Sequence, residues 1–290
     1  MSGAVLSAGT SFLCGLIGSG IQGSLSPAMH EREAAAQGLR CDYQLIDLDV
    51  LGVGVEALPG LLADAERLGY SGLNITYPCK QAVVPLLHEL SPEARALGAV
   101  NTVLLGNGRR AGHNTDAMGF TENFTRGLPG AKLDRVLMLG AGGAGSAVGY
   151  AALALGVKAL LLHDIQTASA DGLASRLQAM FPKSRVAAVA DVAQAMASAD
   201  GLIHCTPTGM KQRPGMPLEA KLLEKRHWVA EIVYVPLETG LLRAARAKGC
   251  RTLDGGGMAV FQAAGAFRLF TGRSADAARM EAHFRTLVAG

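Results

Sequence analysis

The chain lacks several features that would set it apart from ordinary globular proteins. Its 290 residues contain no apolar run long enough to span a bilayer, and the N-terminus has no positively charged region that would open a signal peptide. Charged residues make up 18% of the chain, the formal net charge is +3, and no basic run stands out. We therefore expect a cytoplasmic protein that binds neither nucleic acid nor a membrane.

Cysteine is also scarce. The five cysteines are an odd number, widely spaced and without a C-x-x-C pair. They are Cys14, Cys41, Cys79, Cys205 and Cys250. This pattern predicts reduced thiols rather than a disulfide framework or a zinc site. The histidines show no ligand spacing either, so we expect no metal.

What the chain does contain is a glycine-rich turn between an apolar run and an alanine-rich segment. Residues 135–146 read R-V-L-M-L-G-A-G-G-A-G-S, and a second apolar run ends on Asp164. This G-x-G-x-x-G pattern is typical of a βαβ dinucleotide site. Gly140 permits the tight turn, Gly142 lets the backbone approach a pyrophosphate, and Gly145 lets the helix pack closely on the strand. The alternative is an αβ turn whose glycines serve only helix–strand packing.

The acid at the end of the second apolar run predicts which dinucleotide is bound. Asp164 would accept hydrogen bonds from the adenosine ribose, which favours NAD and repels the 2′-phosphate of NADP. The predicted cofactor-binding residues of the turn are Gly140, Ala141, Gly142, Gly143 and Ala144.

Short apolar runs alternate with helix-like stretches along the chain. Strands are predicted at 13–18, 43–48, 72–76, 99–105, 135–140, 159–164, 185–190, 201–206, 228–233 and 251–253. This alternation predicts an α/β fold with parallel sheets covered on both faces. Ser26 and Ser91, each followed by proline, are predicted N-caps, and Asp191 and Glu238 open two later helices.

The glycine-rich turn comes too late in the chain for an N-terminal Rossmann domain. We predict an N-terminal α/β substrate-binding and catalytic domain at residues 1–117. A Rossmann-type, doubly wound cofactor domain follows at 118–256, and two C-terminal helices at 257–290 return to the first domain. Ligands in such folds lie at the carboxyl ends of strands, so substrate should meet cofactor in a cleft between the domains.

Polar residues follow several strands of the first predicted domain. Ser24 and Ser26, beside a helix start, could bind a small carboxylate, although Ser26 could be a plain N-cap. Lys80 follows an apolar strand, where α/β folds place their chemistry, although a lone lysine is usually a solvated charge. Asn101 and Asp116 come before the cofactor domain, and Asp116 could also be a helix N-cap.

Taken in order, eight motifs resemble those of the shikimate/quinate dehydrogenase family over nearly the whole chain. They are S-L-S-P at 24–27, N-I-T-x-P-x-K at 74–80, G-A-x-N-T at 98–102, N-T-D-x-x-G at 114–119, G-A-G-G-A at 140–144, T-G-M at 208–210, Y-x-P at 234–236 and G-M-x-x-x-Q at 257–262. Eight ordered matches are far more specific than any one of them.

The resemblance implies a role for each matching residue. Lys80 and Asp116 look like the catalytic pair, and Ser24 and Ser26 would hold the substrate carboxylate. The ring hydroxyls would be bound by Thr76, Asn101 and Gln262, with Asn74 lining the same wall and Tyr234 reaching the substrate from the cofactor domain. Thr206 and Gly255 would join the glycine-rich turn and Asp164 in binding the cofactor. The implied substrate is a cyclohexane or cyclohexene carboxylate.

The sequence departs from the family pattern at three places. Gly23 stands where a histidine commonly precedes the first serine, and Glu231 stands where an aspartate is usual before the Y-x-P motif. Members that use NADP usually follow the second cofactor strand with an Asn-Arg-Thr-like run, whereas residues 163–166 here read H-D-I-Q. No arginine is available to clamp a 2′-phosphate, so NAD is the expected cofactor and NADP is less expected.

These features predict NAD-dependent oxidation of shikimate, quinate or both to the 3-dehydro ketone. One alternative is an amino-shikimate-type dehydrogenase of secondary metabolism. Another is a non-catalytic NAD-binding regulator, although retention of both Lys80 and Asp116 argues against it. The sequence leaves monomer and homodimer open.

Overall fold

The computed structural model describes residues 11–289 and divides into two compact units. One unit runs to Thr115 and includes the chain from Val260 onward, and the other is Asp116–Ala259. The N-terminal segment in which signal-peptide features would lie is largely outside the described residues. Among the described residues, no helix is both long and apolar enough to cross a membrane.

The first unit begins with alternating strands and helices. Its strands are β1 (Ser11–Gly18), β2 (Arg40–Asp47), β3 (Tyr70–Ile75), β4 (Glu89–Leu90), β5 (Thr102–Gly106) and β6 (Arg109–His113). The helices before residue 116 are α1 (Ser26–Ala36), α2 (Leu48–Leu51), α3 (Leu58–Arg67), α4 (Cys79–Ala82) and α5 (Pro92–Leu97).

The sheet of this unit has the order β2-β1-β3-β5-β6-β4 and is mixed. β1, β2 and β3 are parallel, but β5 runs antiparallel to both β3 and β6, so the expectation of a wholly parallel sheet is wrong here. Asn107 and Gly108, with φ of 51° and 68°, form the tight turn that joins β5 to β6. β4 and β6 were not predicted, because β4 is very short and β6 reads R-R-A-G-H without an apolar run.

The antiparallel insertion determines which residues meet at the carboxyl ends of the parallel strands. Asn74, near the end of β3, pairs with Thr102 at the start of β5, and Thr102 in turn pairs with His113 at the end of β6. Residues 74–76, 101–102 and 113–115 therefore share one edge of the sheet.

The second unit is a doubly wound α/β domain. Its elements are α6 (Asp116–Gly127), β7 (Arg135–Leu139), α7 (Gly143–Ala154), β8 (Ala159–His163), α8 (Thr167–Met180), β9 (Arg185–Ala188), α9 (Val192–Ser198), β10 (Gly201–His204), β11 (Trp228–Glu231), α10 (Gly240–Ala247) and β12 (Arg251–Leu253). The sheet order is β12-β11-β10-β7-β8-β9 with every pair parallel, which confirms the predicted Rossmann-type fold. The chain closes with α11 (Gly256–Thr271) and α12 (Ala277–Ala289).

Two of the four predicted helix caps are confirmed. The side chains of Ser91 and Asp191 each accept a hydrogen bond from a backbone N–H of the first helical turn. Glu238 is wrong by one residue, because Thr239 caps α10. Ser26 is wrong as well: it is already the first residue of α1, a helix with no side-chain cap. The presence of a serine at position 26 is therefore not explained by helix capping.

Candidate active site

The loop that leads from β1 to the two serines is held by a carboxylate. Asp47, at the end of β2, accepts hydrogen bonds of 3.0 Å from the backbone N–H groups of Gly20 and Ile21 and from Nε2 of Gln22. The Gln22 hydrogen bond, followed by those of the backbone, lowers the pKa of Asp47. The backbone N–H of Ser24 donates to the Ile21 carbonyl at 2.9 Å, so this loop also positions Ser24. The sequence feature that could have indicated this role of Asp47 is its place directly after an apolar run.

A buried tyrosine links the serine loop to the end of β3. The Tyr43 hydroxyl donates to Asn74 Oδ1 at 2.7 Å and also hydrogen-bonds with Ser26. Ser24 Oγ accepts the backbone N–H of Ser26 at 3.3 Å. Burial raises the pKa of Tyr43 well above its ordinary value, so this hydroxyl remains a proton donor. Two groups of predicted site residues are therefore joined through a side chain that was not predicted.

The amides of Asn74 and Asn101 connect the neighbouring strand ends. Asn74 Nδ2 donates to the Asn101 carbonyl at 3.3 Å and to Thr102 Oγ1 at 3.1 Å. Asn101 Oδ1 accepts the N–H of Thr115 at 2.8 Å, and its Nδ2 donates to Thr115 Oγ1 at 2.9 Å. All four residues are buried. This network fixes the chain just before Asp116.

Thr76 and Lys80 follow β3 at the same edge. The Thr76 N–H donates to the Ile17 carbonyl at 2.9 Å, and the Thr76 methyl group occupies the space that a Cβ at Gly18 would need. Lys80 is half-buried in α4, and its carbonyl accepts the Val100 N–H at 2.8 Å. The backbone of Lys80 is thus held against the segment that carries Asn101.

Lys80 is also chemically singular within its unit. It is the one lysine in the sequence of residues 1–115 and 260–290, where the other side chains with a fixed positive charge are all arginines. A guanidinium does not give up its proton in a protein, whereas an ammonium does. Lys80 is therefore the cation of this unit that is suited to exchange a proton with a substrate.

The other proposed substrate residues lie on three different elements. Gln262 is half-buried in α11 of the first unit. Asp116 is buried and is the first residue of α6. Tyr234 follows β11 and is 36% exposed. Asp116 and Tyr234 belong to the second unit.

The glycine-rich turn contains glycines of two kinds. A Cβ at Gly140, where φ is 101°, would lie 2.7 Å from the Cys205 carbonyl oxygen, and one at Gly145 would overlap the Gly140 carbonyl. These two glycines serve the turn and close packing, as predicted. Gly142 and Gly143 are exposed, and a Cβ on either would meet nothing within 4 Å. Packing alone therefore does not account for them.

The space at Gly142 and Gly143 is open to a ligand. It lies at the start of α7, which has no side-chain cap, so its first N–H groups can receive an anion. The turn follows β7, at the point where the strand order reverses between β8 on one side and β10 on the other. Dinucleotides bind at such a switch point.

Asp164 is held rigidly beside this turn. Its Oδ2 accepts the Ala141 N–H at 2.7 Å, and its Oδ1 accepts the Gln166 N–H at 2.9 Å. The next side chain, Ile165, is 94% exposed. The carboxylate therefore has a fixed orientation, and an exposed apolar residue follows it.

The remaining predicted cofactor residues lie after β10 and β12. Thr206 is half-buried, with its hydroxyl 2.5 Å from His204 Nε2. Gly255 is buried, and a Cβ there would overlap the Ile232 carbonyl. Within residues 11–289, no three His, Cys, Asp or Glu side chains are grouped so as to hold a metal ion.

Comparison with known proteins agrees with this arrangement. Residues 16–103 match the shikimate dehydrogenase substrate binding domain, and residues 255–283 match the shikimate 5′-dehydrogenase C-terminal domain. A shikimate dehydrogenase (NADP(+)) of Arthrobacter sp. (strain FB24) is 58% identical over 281 residues, covering 96% of each chain.

A second group of relatives carries a different cofactor in its name. A quinate/shikimate dehydrogenase (NAD(+)) of Corynebacterium glutamicum (strain R) is 48% identical, covering 96% of this chain and 99% of that protein. The solved structure of quinate dehydrogenase from Corynebacterium glutamicum in complex with NAD is 47% identical, with a TM-score of 0.91 and coverage of 96% and 99%. The chain therefore belongs to the shikimate/quinate dehydrogenase family of pyridine-nucleotide oxidoreductases.

Proposed function

We propose that this enzyme oxidises shikimate, quinate or both to the 3-dehydro ketone, reversibly and with NAD as the preferred cofactor. The observation that carries the proposal is the polar edge of the first sheet. There, hydrogen bonds through Tyr43 join two serines to two asparagines, and the backbone carbonyl of the one lysine of the unit is held by the Val100 N–H. An acidic polyol ring requires such a combination of anion-binding, hydroxyl-binding and proton-exchanging groups.

In this proposal the first unit holds the substrate. Ser24 and Ser26, at the start of α1, receive the carboxylate, since hydroxyl groups at a helix N-terminus favour an anion. Thr76, Asn101 and Gln262 bind the ring hydroxyls. Every polar atom of the Asn74 side chain has a partner within the protein, so Asn74 lines the wall chiefly by holding its neighbours. Tyr234 supplies a further substrate contact.

Oxidation of a secondary alcohol requires a base at the hydroxyl proton. Lys80 accepts that proton through its deprotonated amine and returns it in the reverse reaction. Asp116 is the second member of the pair: its carboxylate orients the Lys80 side chain, and it accepts the hydrogen bond of the same hydroxyl until that proton passes to Lys80. The bound pyridine nucleotide supplies the hydride acceptor.

The second unit binds the nucleotide in this proposal. Gly140, Ala141, Gly142, Gly143 and Ala144 form the phosphate-binding turn, and Thr206 and Gly255 border the site from β10 and β12. Asp164 holds the adenosine ribose, because a carboxylate at the end of the second strand accepts hydrogen bonds from both ribose hydroxyls.

The preference for NAD rests on Asp164 and on the residues after it in the chain. Relatives named for NADP and relatives named for NAD each match 96% of this chain, so similarity to relatives does not decide between the two cofactors. Residues 165–170 read I-Q-T-A-S-A and offer no cation to a 2′-phosphate. A fixed carboxylate without a neighbouring cation repels that phosphate.

Removing the negative charge of Asp164 and adding a positive charge at residue 165 should shift the cofactor preference from NAD towards NADP. In the variant Asp164→Ser with Ile165→Arg, the NADP-to-NAD ratio of kcat/KM should rise by about 100-fold, since a charge-assisted hydrogen bond contributes about 1.5–3 kcal/mol. Initial rates with each cofactor at saturating shikimate measure the ratio. Because Ile165 is 94% exposed, the arginine needs no repacking.

Ile165→Arg alone is the matched control, since it adds the cation and keeps the carboxylate. It should move the ratio by less than the double variant does. If the ratio of the double variant equals that of the wild type, Asp164 does not contact the ribose. A wild-type enzyme that already prefers NADP would contradict the cofactor assignment directly.

A further inference from the structure

A buried histidine and a buried glutamate stand side by side where β10 and β11 end. His204 and Glu231 are register partners in the sheet and are 0% and 2% exposed. Nδ1 of His204 lies 2.8 and 3.0 Å from the two carboxylate oxygens of Glu231. Neither residue has a role in the proposed function above.

The hydrogen bonds around Glu231 require a proton on Nδ1 of the His204 imidazole. Glu231 Oε1 accepts the backbone N–H groups of Ile232 and Val233 at 2.9 and 3.0 Å, and Oε2 accepts the Thr239 hydroxyl at 3.1 Å. Backbone N–H groups can only donate, so the carboxylate acts as an acceptor throughout. Nδ1 of His204 must therefore be a donor, so on a ring that carries a single proton Nε2 is an acceptor.

The acceptor nitrogen in turn orients a hydroxyl. Thr206 Oγ1 lies 2.5 Å from Nε2 of His204 and also accepts the Thr208 N–H at 3.3 Å. With Nε2 unprotonated, the Thr206 hydroxyl donates its hydrogen bond to the imidazole. Its remaining lone pair is then an acceptor, and no hydroxyl proton is left for an outside partner. Carboxylate, imidazole and hydroxyl form one directed chain.

This hydroxyl lies on the side of the switch point away from Asp164. β10 borders β7 on the edge opposite β8, whose end carries Asp164. In the proposed function Asp164 holds the adenosine ribose and the turn after β7 holds the pyrophosphate. The nicotinamide half then extends towards β10 and Thr206.

We propose that Glu231 and His204 are positioning residues that present Thr206 as a hydrogen-bond acceptor to the carboxamide NH₂ of the nicotinamide. The inference rests on the proposed function, since it requires a dinucleotide at the switch point. It also accounts for glutamate where the family usually has aspartate. The longer side chain reaches His204 and, at the same time, the two N–H groups that open the turn to Tyr234.

Stability alone is a poor reason to retain this pair. Two buried ionisable groups carry a desolvation penalty, and apolar replacements of similar volume are often neutral or stabilising. A directed chain that ends at a ligand-facing hydroxyl gives the pair a use that apolar side chains lack.

The test uses His204→Asn and Thr206→Val, singly and together. The asparagine amide keeps a donor for Glu231 but is too short to reach Thr206, so the hydroxyl is released. Fluorescence titration of the full-length protein with NADH should show about a tenfold rise in Kd for each single variant. The double variant should be no weaker than Thr206→Val alone, because both changes remove the same interaction.

Titration with ADP-ribose, which lacks the nicotinamide, serves as the internal control. Its Kd should stay at the wild-type value in all three variants. Thr206→Ser keeps the hydroxyl and should keep the NADH affinity. His227→Gln removes another buried histidine of the same unit, immediately before β11, and should leave both affinities unchanged.

A direct measurement does not depend on any variant. Nitrogen-15 NMR of histidine-labelled wild-type protein should show His204 as a neutral ring protonated at Nδ1. An Nε2-protonated ring or an imidazolium would overturn the proposal. So would additive losses of NADH affinity in the double variant, or an equal loss of affinity for ADP-ribose.

Titrations with NADPH separate this inference from the cofactor preference. Both nucleotides have the same nicotinamide half, so the ratio of variant to wild-type Kd should be the same for each. If the enzyme prefers NADP, the proposed preference for NAD is wrong. The ratio of variant to wild-type Kd then still tests the role of His204 and Glu231. A wild-type protein that binds neither dinucleotide would overturn both proposals.

Discussion

Replacement of Lys80 by alanine should lower kcat for shikimate or quinate oxidation by about 1,000-fold, within the range of about 10²–10⁴ for general acid–base catalysis. The alanine removes the group that accepts the hydroxyl proton. Binding of NADH should change little, because the cofactor residues belong to the other unit. Steady-state kinetics and NADH titration on the same preparation measure the two effects separately.

Two further variants distinguish proton transfer from simple charge. Lys80→Arg keeps the positive charge but cannot lose a proton to act as a base at neutral pH, so its kcat should fall nearly as far as that of Lys80→Ala. Arg95→Ala removes an exposed cation of the same unit and should leave kcat unchanged. Wild-type turnover in Lys80→Ala, or nearly full activity in Lys80→Arg, would contradict the role of Lys80 as the base.

Acid should destabilise the protein through His30. This residue is 1% exposed, and neither ring nitrogen has a hydrogen-bond partner among the described residues. Its ring packs against Tyr43, Phe267 and Phe270 at centroid distances of 4.9, 6.1 and 5.8 Å. Burial lowers the pKa of His30 from 6.5 to about 3.

The direction of the effect is set by the state in which the proton binds. The unfolded chain protonates His30 below about pH 6.5, whereas the folded protein holds the neutral ring down to about pH 3. The free energy of unfolding therefore falls as the pH falls through this window. The loss is about 2 kcal/mol between pH 7 and 5 and reaches about 5 kcal/mol below pH 3, at 1.36 kcal/mol per pKa unit.

His30→Leu should remove this contribution. Urea denaturation at pH 7 and pH 5 should show the stability of the variant, relative to wild type, improving by about 2 kcal/mol towards acid. Phe267→Leu alters the same cluster without removing a titrating group, so its deficit should not depend on pH. A difference between His30→Leu and wild type that stays constant with pH would show that His30 titrates alike in both states.

The fold of the cofactor unit could be predicted well because the local sequence pattern and the tertiary packing favour the same elements there. The central strands β7, β10 and β11 are buried on both faces beyond Arg135, so residues such as Val136 and Leu137 form continuous apolar runs. The chain turns at glycines that tertiary contacts require, as at Gly140 and Gly145. Each strand was therefore visible in the sequence, and the parallel order follows from the alternation with helices.

The substrate unit was less predictable because its antiparallel strands lack those signals. β6 has no apolar run, and the Asn107–Gly108 turn that specifies the hairpin was not recognised. The direction of β5 matters for the site, since it brings Asn101 beside Asn74. Sequence motifs indicated both asparagines, but only the topology explains why they are neighbours.

The residues that sequence reasoning missed are those that hold others in place. Tyr43 lies within a strand, where an aromatic side chain is ordinarily part of the core, and Asp47 ends a strand without belonging to a motif. Their contacts reach Asn74, Ser26 and the serine loop, which are distant in sequence. A single sequence carries no signal of such long-range hydrogen bonds.

NAD-linked oxidation of a hydroxylated ring carboxylate can be tested with one absorbance assay. Wild-type enzyme at alkaline pH is mixed with shikimate or quinate, each with NAD and with NADP. We expect reduced nucleotide with at least one acid, formed with a higher kcat/KM from NAD than from NADP. No reduced nucleotide with either acid and either cofactor, from protein that still binds NADH, would contradict it.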